Sequence, residues 1–377
     1  MLLVLKCICV LFVISGCVQK FEPPEISSGK SYLVVDGFLN FGEDSTKIML
    51  SRTQNTNNMD RFVTENNAQM ESIAESGEVY RFVETTSGTY QLESELTNQD
   101  TKYKLNIRTT DGNEYESDFV SVDKTPVIDS IGYKVDLGLN AVIFQVNTHD
   151  SQNKTHFYRW KFEETWRYRT QHYSSLEVVG TGNDKEIVLR QENINTCYSS
   201  AKSTSIILGS TIRMSEDVIK DLPIHRVSIH TNKLLERYSI LVRQYGLSRE
   251  AFEYWTNLSK TTQGTGTLFD PLPSQVTGNI RNKKDAQELV FGFFSAVVEQ
   301  KKRIFVSPRL GRLSYCPTDT IPVNCYPGRQ TDCAYETAGL ILYYLDPRQQ
   351  NVIIADAQCA DCRLQGGTTK MPSFWEQ

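Results

Sequence analysis

Few residues in this chain could do chemistry, and the cysteines lead them. Cys359-Ala360-Asp361-Cys362 is a CxxC, a spacing that serves redox exchange, half of a zinc site or a structural bridge. No second CxxC accompanies it and no thioredoxin-like strand–helix–strand pattern surrounds it, so it reads as structural. Glu163-Glu164 and Asp217 with Asp221 are the acid pairs that glycoside hydrolysis would need. Neighbours on a strand face opposite ways, so 163 and 164 cannot share a site. His225 and His230 fall in a strand region at a spacing that also puts them on opposite faces, so no metal site is expected. P-loop, GxSxG, HExxH and Rossmann glycine patterns are absent, and Gly264 with Gly266 makes only a GxG, so no cofactor is expected. The aromatics Tyr158, Trp160, Phe162, Trp166, Tyr168 and Tyr173 could form a platform for a sugar or peptide; alternation favours core and sheet surface instead.

The elements that position these residues are mostly strands. Residues 30–124 carry short alternating runs at 8–12-residue spacing, as in an immunoglobulin-like β-sandwich. Tyr103, Leu105 and Ile107 point one way, with Lys102, Lys104, Asn106 and Arg108 opposite, and Asp111-Gly112 marks a hairpin. Pro126 marks the boundary of a larger β-rich domain, 125–377. One helix is expected near 248–260, with Ser248 as cap and Ala251, Phe252, Trp255 and Leu258 on one stripe. The polar stretch Thr53 to Asn58 reads as a loop. Residues 262–278 have no periodicity and read as a long functional or Ω-type loop.

Composition sets the outer limits. The 377 residues are 39% hydrophobic and 23% charged, with net charge -5. That excludes a disordered tail, a collagen-like chain and a helical membrane bundle, and it lacks the basic footprint of a nucleic-acid binder. Lys283-Lys284 and Lys301-Lys302-Arg303 read as solvated strand ends.

Residues 1–16 have signal-peptide proportions, an apolar run after Lys6 that is too short to span a bilayer. The run ends in Ile14-Ser15-Gly16-Cys17, which matches a bacterial lipobox. Cys17 is therefore the expected lipidation site, each buried methylene adding about 0.8 kcal/mol of anchoring. Residues 17–29 form a Pro-containing tether. No Asp follows Cys17, so the outer membrane is expected, surface-facing rather than periplasm-facing. In an oxidising compartment the remaining cysteines, Cys197, Cys316, Cys325, Cys333, Cys359 and Cys362, are disulfide candidates. Fifteen full pairings are open, and the crowding between 316 and 362 implies a stapled C-terminus.

Short motifs in order along nearly the whole mature chain resemble a family of Bacteroidota outer-membrane lipoproteins often encoded beside TonB-dependent receptors. They include Cys17, Leu33-Val34-Val35-Asp36-Gly37, Tyr158-Arg159-Trp160 with Glu163-Glu164-Thr165-Trp166, and Gly292-Phe293-Phe294-Ser295-Ala296. The C-terminal set, Cys359-Ala360-Asp361-Cys362-Arg363, Gly366-Gly367-Thr368 and Pro372-Ser373-Phe374-Trp375, is the most specific. The resemblance implies an outer-membrane lipoprotein with β-sandwich parts and a role accessory to TonB-dependent uptake. With the lipobox, the absent catalytic motifs and the long loop at 262–278, the leading expectation is a non-enzymatic accessory or substrate-capture partner of a TonB-dependent importer, with a glycan or peptide as candidate ligand. The family supplies no catalytic residues to transfer. A surface glycan or peptide hydrolase and a structural or adhesive envelope lipoprotein are the alternatives.

Overall fold

The computed structural model describes residues 31–54, 63–180, 186–262, 276–322, 340–344, 348 and 350–375. The lipobox, Cys325, Cys333 and most of both expected loops (residues 55–62 and 263–275) lie outside them.

The first ten strands are β1 (Leu33–Gly37), β2 (Leu39–Asn40), β3 (Lys47–Arg52), β4 (Val63–Thr64), β5 (Gln69–Ala74), β6 (Val79–Thr86), β7 (Thr89–Leu92), β8 (Lys102–Arg108), β9 (Glu114–Ser117) and β10 (Val120–Lys124). Their hydrogen-bonded order is β1-β3-β7-β6-β5-β8-β10. Strand β6 turns the corner of the sandwich. Its Val79–Arg81 half pairs with β5 and its Phe82–Thr86 half with β7. Leu33, Val35, Ile48, Leu50 and Tyr90 then meet Met70, Tyr103, Leu105, Ile107 and Tyr115 in one core. The alternation expected of 102–108 is realised, and Gly112 takes the left-handed turn conformation at φ 83°.

Beyond Pro126 come β11 (Ile128–Asp136), β12 (Ala141–His149), β13 (Phe157–Arg169), β14 (Leu176–Val179), β15 (Glu186–Leu189), β16 (Thr196–Lys202), β17 (Ile207–Ser210), β18 (Val218–Ser228) and β19 (Tyr238–Gly246). Helix α1 (Arg249–Thr262) follows, and Ser248 Oγ accepts the Ala251 backbone N–H at 3.2 Å, the expected cap. Three further strands complete this part: β20 (Ile280–Asn282), β21 (Ala296–Val298) and β22 (Gln300–Val306). A three-stranded sheet, β11-β12-β18, and a sheet ordered β16-β13-β19-β22 bury a second core between them. Trp160 fills it, its indole N–H donating to Gln244 Oε1 at 2.9 Å. Gln244 in turn donates to the Pro126 carbonyl (2.8 Å) and Thr148 Oγ1 (3.0 Å), so the buried amide is satisfied.

Residues 276–298, placed by sequence with the second unit, pair with strands of the first. Strand β20 runs antiparallel to β9, and β21 lies parallel between β10 and β2. Because β2 continues β1 in the chain, the strand order returns to where it began, and the edge that would template another chain is covered. Gly292 makes this docking possible. Its φ is 123°, and a Cβ there would lie 2.1 Å from the Val35 carbonyl oxygen.

The C-terminal part holds β23 (Thr318–Pro322), β24 (Leu340–Tyr344) and β25 (Asn351–Ala355) in the order β23-β25-β24. Two disulfides fasten it. Cys316 bonds Cys359, and Cys197 on β16 bonds Cys362, with Cα–Cα separations of 5.9 and 5.7 Å. The CxxC is thus two half-bridges to different partners. Cys359 ends one 3-10 turn and Cys362 opens the next. Tyr168 donates to the Cys362 carbonyl at 2.9 Å, and a Cβ on Gly367 would press on the Tyr168 hydroxyl at 2.5 Å. The mainly β fold with one helix and a disulfide-stapled end is as the sequence implied.

Digestion of unreduced protein should yield linked peptides for Cys197–Cys362 and Cys316–Cys359 and no intact Cys359–Cys362 loop. Replacing Cys197 and Cys362 together by alanine should cost about 2–5 kcal/mol in denaturant unfolding.

Candidate functional site

The residues singled out for chemistry mostly turn out to hold the fold together. Glu163 and Glu164 face opposite ways, as expected: Glu163 lies 3.4 Å from Arg243, and Glu164 turns into the second core. There Glu164 accepts from His225 Nε2 (3.1 Å), Tyr238 Oη (2.6 Å) and Lys233 Nζ. Asp217 accepts from Tyr158 and Thr211, both at 2.6 Å, while Asp221 stays exposed at φ 51°. His230 lies past the end of β18, apart from His225. Among the described residues no three of His, Cys, Asp and Glu are grouped to hold a metal ion. Of the aromatic run, Tyr158, Trp160, Phe162 and Tyr168 are buried, Trp166 is half-buried, and only Tyr173 is exposed.

The outward face of β13 is different. Arg159, Lys161 and Glu163 alternate with the core aromatics and sit opposite Tyr245, Arg243 and Leu241 of β19. This face meets the first sandwich. Arg243 bridges Asp44 (2.6 Å) and Glu299 (2.8 Å), Lys301 reaches Asp44 (2.6 Å) and Glu43 (3.2 Å), and Tyr245 donates to Glu299 at 2.7 Å. That network ties β19 and β22 to the β2–β3 turn. It also engages Glu43, Asp44 and Glu299, and leaves Asp36 outside.

Arg159 and Lys161 are left over. Both line a cavity of about 190 Å³ at the seam, together with Asp36, Phe38, Tyr245, Trp255 and Phe293. The Arg159 guanidinium lies on the Trp255 ring, 3.4 Å from its centroid, and its Nε is shut off from solvent with no hydrogen-bond partner. Burial pushes Arg159 down to about 10, against the pull of Tyr245 and Asp36. Burial and Arg159 also lower Lys161. Among the described residues no carboxylate forms an ion pair with either. A desolvated cation–π stack contributes about 2 kcal/mol, whereas enclosing an unpaired cation costs several. Arg159 and Lys161 are half-buried, so only part of that cost applies, but the enclosed Arg159 Nε is a donor that an anion at the seam would satisfy.

Sequence reasoning weighed the aromatics of this strand and gave Arg159 and Lys161 between them no role. The available signal was two cations on the outer face of the same strand that supplies the second core's aromatics, with a Trp on the following helix.

Two carboxyls, the buried Glu164 and the half-buried Asp123, respond to pH in opposite directions. Burial would raise Glu164, but the hydrogen bonds from His225, Lys233 and Tyr238 outweigh it and hold the group at about 2. Its stabilisation, about 3 kcal/mol, is complete above the ordinary carboxyl value and lost as pH falls toward 2. Asp123, beside the α1 N-terminus, is raised to about 7 by burial, despite the hydrogen bond from the Ser248 backbone N–H. Its contribution is complete at low pH and lost as pH rises through 7. The melting temperature gained by Asp123→Asn should therefore grow from about pH 5 to about pH 8. Glu164→Gln should cost about 3 kcal/mol near pH 6, because it removes the charged acceptor shared by His225, Lys233 and Tyr238. That loss should shrink on acidification below about pH 4.

Comparison with known proteins gives a family and no activity. No functionally curated protein matches the chain. A Salmonella alpha-2-macroglobulin mutant is similar at 7% identity and a TM-score of 0.19, over 78% of this chain and 15% of that one. A chitinase from Bacillus thuringiensis is similar at 11% identity and a TM-score of 0.15, over 52% and 29%. This chain thus spans less than a third of the length of either. Residues 18–303, more than half of the chain, match the family described as Domain of unknown function (DUF4249), and the chain belongs to that family.

Proposed function

We propose that this chain is a lipid-anchored outer-membrane lipoprotein that captures a ligand for a TonB-dependent importer, or assists it, without catalysing a reaction itself. The observation that carries the reading is the seam cavity. Two half-buried cations without carboxylate partners, one with a fully enclosed Nε, face an aromatic-lined space of about 190 Å³. Such a site gains from binding an anion and offers no paired acid and base to break a bond. Of the acids considered for hydrolysis, Glu163 is engaged with Arg243, Glu164 with His225, Lys233 and Tyr238, and Asp217 with Tyr158 and Thr211, while Asp221 is exposed and apart from them.

The anchor rests on Ile14-Ser15-Gly16-Cys17 and the apolar run before it. Two disulfides fit an exported, oxidising setting. A surface-facing orientation places the cavity beside a transporter mouth, where a tethered capture protein raises the local concentration of its cargo.

Metabolic labelling with a palmitate analogue should mark the wild type and not Cys17→Ser, and the variant should leave the membrane fraction. A mild-detergent pull-down of the tagged wild type from its own outer membrane should recover a TonB-dependent receptor in near-equal amount. Recovery of the lipoprotein alone would contradict the accessory role.

A further inference from the structure

We propose that the seam cavity binds the carboxylate of a small organic acid, with Arg159 and Lys161 holding the carboxylate and Trp255, Phe38 and Phe293 covering its apolar body. The inference rests on the capture reading and names the ligand class for that same cavity.

Charge selects the class. Of the carboxylates near the seam, Asp44, Glu163 and Glu299 belong to Arg243, and Asp44 and Glu43 to Lys301. Asp36 is the one acid lining the cavity, and it acts on both Arg159 and Lys161 from a distance. Arg159, Lys161 and the exposed Lys47 against the single acid Asp36 leave the lining net positive, which an anion balances. Phosphate has no apolar body to meet the aromatic walls. A guanidinium fork suits the two oxygens of a carboxylate, and a buried Nε–H with no acceptor is a donor waiting for one.

Shape selects the body. Phe38 meets Tyr245 edge-on at 5.1 Å, and Phe293 packs on Tyr254 at 5.4 Å, so the walls are fixed by their own contacts. The volume equals that of about six bulk waters, enough for a ring-sized acid and too small for an oligosaccharide. Such a carboxylate comes from a free acid or from the last residue of a peptide.

Purified full-length chain in detergent should be titrated with phenylacetate, a tripeptide ending in phenylalanine, its C-terminal amide and inorganic phosphate. The readouts are calorimetry and tryptophan fluorescence. Phenylacetate or the tripeptide acid should bind saturably, and whichever binds tighter identifies the source. The amide and phosphate should bind at least tenfold more weakly. Arg159→Gln should weaken the carboxylate about ten- to a hundredfold without lowering the melting temperature, because Arg159 is half-buried and makes no ion pair whose loss would destabilise the fold. Lys161→Gln should also weaken it, and serves should the first variant misfold. Arg108→Gln, in a cleft of the first sandwich, should change nothing. Saturable binding of neither acid, equal binding of acid and amide, tighter binding of phosphate, or wild-type affinity in both seam variants would overturn the proposal. Receptor recovery in the pull-down is read independently, so either idea can fail alone.

Discussion

Side chains alternate across a β-strand, and in Phe157–Arg169 that alternation sets the chemistry on both sides of a sheet. The even positions 158, 160, 162 and 164 face the second core, where Trp160 finds Gln244 and Glu164 finds three donors. The odd positions 159, 161 and 163 face the first sandwich and carry charge. A slip of one residue against β19 would put two cations into the core and the aromatics at the seam, so register here is strongly enforced. The docking of the first sandwich, the salt-bridge network and the cavity all follow from which side of this strand is charged.

The seam shows how a fold can join two layers and still leave room for a ligand. Arg243, Asp44, Glu299 and Lys301 pair closely and supply the link between the layers. Glu299 is almost fully buried, yet it accepts from both Arg243 and Tyr245. One register step along β13 and β19 the pairing stops, and Arg159 has an aromatic ring where an acid would complete it. Stability alone would favour an apolar side chain at such a position. A half-buried, unmatched cation with an enclosed Nε on a rigid central strand fits the proposal of affinity held ready for an anion.

Much of this was legible in the sequence where the period was clean. Positions 102–108, the Asp111-Gly112 turn, the aromatic strand at 157–166 and the capped helix all carry local signals, and the structure agrees with each. Strand β5 was not legible, because its inward positions Met70, Ser72 and Ala74 include a buried hydroxyl and a methyl rather than an apolar run. The return of 276–298 to the first sandwich was hidden for another reason. β20 and β21 are three residues each, too short to show a period, and their partners lie more than a hundred residues upstream. Disulfide pairing was open among fifteen schemes; the tight turns at 357–359 and 362–365 settle it for four of the six cysteines by sending each half of the CxxC to a different partner. The cavity was least legible, since its polar and aromatic walls come from β1, β13, β19, α1 and the segment after β20, and only the fold brings them together.

The most direct measurement is of the Arg159 Nε–H itself, by proton–nitrogen correlation spectroscopy assigned with Arg159→Gln. Free protein should show a slowly exchanging signal, because the atom is enclosed, at the position of a donor without an acceptor. Adding a small aryl carboxylate should move the proton downfield in a saturable way as a charged hydrogen bond forms. A signal already downfield in the free protein, or one unmoved at saturating acid, would contradict the claim that the seam cavity holds its cations for an anionic ligand.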